Sequence, residues 1–98
     1  MKKEHAKKIL KDVMPEQCFW INKGPIIKNL RQLPRALRRM KPETFTHHVG
    51  KGKNDFSVWI DHVLGDANLA SAISKLKTKK AMADALNKRI KILKKTAG

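Results

Sequence analysis

The chain has 98 residues, with 23 Lys and Arg against 8 Asp and Glu, a formal charge of +15 at pH 7. That length suits one small domain with a modest core, and no apolar run approaches the roughly 18 residues a membrane helix needs. The single cysteine, Cys18, rules out an internal disulfide, and such a charge excess costs stability by self-repulsion, so it points to a polyanionic partner.

The elements follow in chain order. Ala6, Ile9, Leu10 and Val13 recur at helical spacing and predict a first short helix over residues 4–13, ended by Pro15. Cys18–Phe19–Trp20–Ile21 and Pro25–Ile26–Ile27 flank Asn22–Lys23–Gly24, which predicts a small β-hairpin over residues 18–27, with Cys18 as a buried thiol. A second helix is expected from Asn29 to Met40, with Leu30, Leu33, Leu37 and Met40 inward. Pro34 conflicts with that helix, so it starts near Leu33 or is kinked there. Pro42 suits the first turn of a short helix at 43–49, and Gly50–Lys51–Gly52–Lys53 reads as a flexible basic loop. Asn54 caps a helix from Asp55 to Leu64 with Phe56, Trp59, Ile60 and Val63 inward, and Gly65 stops it. Asp66 caps a helix from Ala67 to Leu76, and Thr78 caps the last one, Lys79 to Lys95, which buries Met82, Leu86, Leu93 and either Ile90 or the stem of Arg89. The expectation is a mainly α chain, a compact bundle of about five short helices with a small N-terminal hairpin. Its single domain comprises a basic helix or arm (1–14), a core (15–76) and a basic C-terminal helix (77–98).

The charge is unevenly placed. Residues 23–53 carry nine Lys or Arg against Glu43, and residues 75–98 carry nine against Asp84. Residues 54–74 carry none, against Asp55, Asp61 and Asp66. A general solubilising charge does not empty a window of that length, so the pattern reads as a core unit holding two basic surfaces.

Between residues 15 and 75 the chain shows Pro15–Glu16–x–Cys18–Phe19, Gly24, Asn29–Leu30–x–x–Leu33, Phe45–x–x–His48, Asn54–Asp55–Phe56–Ser57–x–Trp59–Ile60, Val63–x–Gly65–Asp66 and Leu69–Ala70. The order resembles a family of small, mainly helical archaeal and bacterial domains of uncharacterised function. That resemblance implies a helical fold and no reaction, substrate or cofactor. Its members are often acidic and can be appended to other proteins. Pro34 and the many arginines and lysines depart from the pattern, so the basic surface reads as a specialisation of this chain.

The strongest constellation is Arg31, Arg35, Arg38 and Arg39, read as one face opposite the leucines of the second helix. Arginine pairs with phosphate through two parallel hydrogen bonds. The last helix offers Lys80, Lys88, Lys91 and Lys95, opposed only by Asp84. With Lys28, Lys41, Lys51, Lys53 and Lys79 these form the expected nucleic-acid contacts. No zinc-finger spacing or RNA-recognition motif is present, no turn singles out a helix-turn-helix, and most of the aromatics (Phe19, Trp20, Phe45, Phe56, Trp59) fall on faces assigned to the core. The expected function is therefore sequence-tolerant binding of double-stranded DNA in the cytoplasm, at the nucleoid or chromatin. RNA or ribosome association, and docking to an acidic protein or anionic membrane surface, are the alternatives. Gly50–Lys53 lacks the full phosphate-loop pattern, and His47, His48, Asp55, His62 and Asp66 match no metal-ligand spacing. His48 is expected instead to bond near Asn54 or Asp55. No nucleophile–base arrangement is recognisable and Ser57 has no supporting motif, so no catalysis and no cofactor are expected.

Overall fold

The computed structural model describes every residue, Met1–Gly98. Six α-helices and two short hairpins succeed one another: α1 (Lys3–Leu10), β1 (Phe19–Trp20), β2 (Ile26–Ile27), α2 (Leu33–Arg39), α3 (Pro42–His48), β3 (Val49–Gly50), β4 (Lys53–Asn54), α4 (Asp55–Trp59), α5 (Ala67–Ser74) and α6 (Lys79–Ala97). The chain is mainly α with a small N-terminal hairpin, as the periodicity predicts.

Four of the helical starts are set by side chains that accept a backbone N–H three residues on: Asn29 from Gln32, Asn54 from Ser57, Asp66 from Leu69 and Thr78 from Ala81. Asn29 caps a single 3₁₀ turn, Leu30–Gln32, and α2 begins after it at Leu33. Pro34 thus falls in the first turn, where its missing N–H costs nothing, and the helix is not kinked there. The first helix is shorter than its apolar spacing suggests. It ends at Leu10, and Val13 N–H instead bonds to the Lys28 carbonyl at 2.8 Å, tying the exit of α1 to the start of the 3₁₀ turn.

Gly50–Lys53 is not a loose loop. Val49 pairs with Asn54 and Gly50 with Lys53, and Gly52 takes the left-handed turn position at φ 71°. The helix from Asp55 also departs from expectation. After Trp59 it widens into a π turn, Ile60–Leu64, closed by Gly65 at φ 80°. Widening the turn rotates Val63 to a half-buried position and buries Leu64 in its place. Cys18 is half-buried, not buried, because the strand proper starts one residue later.

The core is a single cluster running from Ala6 and Ile9 in α1 to Ile90 and Leu93 in α6. Helix α6 packs most extensively against α1 and α2, and α4 with its π turn packs against α5. Phe19 joins the hairpin to this core, stacked on Phe56 at 4.9 Å and edge-on to Trp59 at 5.8 Å. The Trp59 indole donates to the Gln17 carbonyl at 2.7 Å. The first hairpin is therefore anchored on its inner face against α4.

Candidate nucleic-acid interface

The hairpin β1–β2 and helix α2 enclose a groove of about 880 Å³. The 3₁₀ turn and α2 supply Arg31, Arg35 and Arg39, at successive spacings of four, so that one helical wall presents all three. The hairpin turn adds Lys23, and the segment after α2 adds Lys41. The only carboxylate lining the groove is Glu43. Ile21, Ile26, Ile27, Ala36 and Met40 provide its apolar lining.

Lys23 owes its place to the turn. Gly24 is packed so closely that a Cβ on it would lie 2.8 Å from Ile21 Cγ2. Lys23, not Gly24, then takes the left-handed conformation, φ 56°. It is the only residue other than glycine to do so. Sequence reading alone did not single out this lysine, because its partners across the groove come from a helix wall that only the folded hairpin faces.

The structure separates the four arginines of residues 31–39. Arg31, Arg35 and Arg39 line the groove. Arg38 turns to α6 and donates to the Asp84 carboxylate at 2.9 Å. Lys80 donates to the other oxygen of Asp84 at 2.8 Å. The Lys80 hydrogen bond, with the Arg38 contacts added to it, holds the Asp84 carboxyl below its ordinary value. Arg38 and Lys80 therefore already have an anion.

Several other cations expected at the interface are likewise engaged within the protein. Lys79 donates to the Met40 carbonyl at 2.7 Å, satisfying the C-terminal end of α2 with a positive charge. Lys53 donates to the His47 carbonyl at 2.8 Å and lies 3.6 Å from Asp55. Lys28 and Arg31 stand 4.0 Å from Asp12. Asp12 itself accepts from Asn29 Nδ2 at 2.7 Å, so its hold on those two cations is loose.

Arg35, Arg39, Lys41, Lys51, Lys88, Lys91 and Lys95 are exposed and take part in no ion pair. Lys88 and Lys91 sit with Asn87, Ile90 and Lys94 around a shallow second groove on α6. Lys51 is alone at the tip of the β3–β4 hairpin.

Two of the titratable groups outside these grooves, His48 and Asp66, are engaged within the fold. His48 Nε2 accepts from the Asn22 N–H at 3.0 Å, so Nδ1 carries the proton and donates to Asp55 at 3.0 Å. This is the bond the sequence predicts, and it also reaches back to the first hairpin. Asp66 is 2 % exposed and receives two hydrogen bonds from Arg89, at 2.8 and 3.1 Å. No three His, Cys, Asp or Glu side chains are placed to hold a metal ion. The start of α4 does not offer itself to a phosphate. Asn54 occupies the Ser57 N–H, and Asp55 adds a negative charge there.

Most of the aromatics lie in the core, as expected, and one does not. Phe19, Phe45, Phe56 and Trp59 are buried, but Trp20 is 70 % exposed on the outer face of the hairpin. A strand of two residues carries no alternation long enough to reveal which member faces the core. No helix is long and apolar enough to cross a membrane. No known family model matches the chain, and no curated protein or solved structure matches it either.

Proposed function

We propose that this protein binds DNA with little regard to sequence, holding the phosphate backbone in the arginine groove and along α6. The observation that carries the proposal is the set of cations left without an internal anion. Lys23, Arg35, Arg39 and Lys41 converge on one groove with Glu43 as its only carboxylate. Elsewhere in the same molecule, cations close to a carboxylate are drawn onto it, as Arg38, Lys80 and Arg89 are. Charges that fold against nothing are available to phosphate, and arginine offers it two parallel donors. Lys88, Lys91 and Lys94 give a second contact, consistent with a nucleoid or chromatin role in which one small protein touches a duplex over an extended surface.

The test is a mobility shift on two unrelated duplexes over a range of salt. Six to ten phosphate contacts predict a loss of roughly 10³- to 10⁵-fold in affinity between about 50 and 200 mM salt, similar for both duplexes. Binding that does not change with salt contradicts the proposal. RNA association is the second reading: exposed Trp20 suits an unpaired base, and RNA presents such bases in loops and ends as an open DNA strand does. Competition between duplex DNA, duplex RNA and single strands separates the two.

A further inference from the structure

The first hairpin has two faces. Phe19 and Ile27, directly opposed in its register, turn inward and are buried. Trp20 and Ile26, the other opposed pair, turn outward and are 70 % and 49 % exposed. Directly opposed side chains have Cβ atoms about 5 Å apart, so these two form one apolar surface and not two scattered residues. Ile26 also lines the groove that holds Lys23, Arg31, Arg35 and Arg39. An exposed indole thus stands at the edge of an arginine groove, with an isoleucine shared between them. Burial of the opposite face of the hairpin fixes both in place.

We infer that Trp20 and Ile26 are a stacking platform for an unpaired nucleobase, with the backbone of that DNA strand running along the groove arginines. The inference rests on the reading of the groove as a DNA-backbone site and names the form of DNA it takes. A flat indole stacks on any base, because every base has a π face, which agrees with sequence-tolerant binding. Within an intact duplex those faces are covered by neighbouring base pairs. The platform therefore engages an open strand at a fork, gap or frayed end. An acidic peptide matches the arginines but gives the indole nothing flat to stack on. An anionic membrane matches a tryptophan beside cations on a level surface, whereas these arginines line the wall of a groove.

The experiment compares an unstructured oligothymidine, an oligouridine of equal length and a blunt DNA duplex, bound to the wild type, Trp20→Ala and Trp20→Phe at one salt concentration. Oligothymidine is expected to quench Trp20 fluorescence. Trp20→Ala is expected to weaken oligothymidine binding roughly 5- to 150-fold for one stacked base. It should change duplex binding by about twofold or less, and Trp20→Phe should retain most of the strand affinity. If Trp20→Ala leaves strand binding unchanged, or weakens strand and duplex alike, while the wild type still binds duplex, the platform is wrong and the backbone reading stands. A preference for oligouridine of about tenfold or more overturns the assignment to DNA. If the wild type binds none of the three, or binds anionic vesicles or polyglutamate in their place, the platform and the backbone reading fall together.

Discussion

Arg89 and the arginines of the groove are the same residue type put to different use. Arg89 reaches from α6 into the cation-free corner built by residues 54–74, where Asp66 is buried at the start of α5 and takes both of its hydrogen bonds. In that corner Asp55 holds His48, Asn54 bonds the Ile73 carbonyl, and Ser57 bonds the Ala70 carbonyl. Across the molecule, Arg35 and Arg39 stand on an exposed helix wall with no anion to hold. Charge count alone therefore does not locate a binding surface. The location emerges after the cations that the fold consumes have been subtracted.

Loss of Arg89 is expected to have the largest effect. Its replacement by Ala leaves the Asp66 carboxylate buried and unpaired, and the expected loss of stability is about 3–5 kcal/mol in urea unfolding. For a domain of this size that is a large part of the total, roughly 5–15 kcal/mol. On the other side, Arg35→Ala with Arg39→Ala should leave the unfolding midpoint within about 0.5 kcal/mol of wild type. The same pair should lower duplex affinity roughly ten- to a hundredfold at low salt. Replacing Asn54 by Ala removes a helix cap and its bond to Ile73, with an expected cost of about 1–2 kcal/mol in the same unfolding assay and no change in salt dependence of binding.

The smallest effect belongs to Asp84. Its pKa is lowered in the folded state, first by the Lys80 hydrogen bond. The unfolded chain therefore takes up the proton at higher pH than the folded one does. The contribution is complete above the ordinary carboxylate value and is lost as pH falls through the lowered folded value. Asp84→Asn should flatten that acid limb of the stability profile while leaving stability at neutral pH little changed, because the carboxylate is exposed.

Local chemistry accounts for the parts of the fold that sequence reading anticipates. Asn29, Asn54, Asp66 and Thr78 are each caps whose side-chain oxygens act within three residues, and Gly65 stops its helix by a backbone conformation of its own. The two-residue turn at Lys51–Gly52 has no sequence signature, because its strands are only two residues long and lack an apolar alternation. The π turn at Ile60–Leu64 leaves no mark in a pattern read at a period of 3.6. The candidate site was legible as a segment and not as a surface. Residues 23–53 are plainly basic, but Arg38 leaves the groove because Asp84 lies 46 positions further along. Lys23 enters it because a glycine two residues from a strand must pack against Ile21. Both are decided by contacts distant in sequence or specific to one turn.

We propose that the groove cations without an internal anion, Lys23, Arg35, Arg39 and Lys41, hold DNA phosphates. The most direct measurement is the salt dependence of duplex affinity for the wild type beside Arg35→Ala with Arg39→Ala. Each lost phosphate contact reduces the slope of log affinity against log salt by about 0.9. Two lost contacts predict a slope shallower by about 1.8 for the variant, with unfolding unchanged. Equal slopes for the two proteins would mean that Arg35 and Arg39 hold no phosphate.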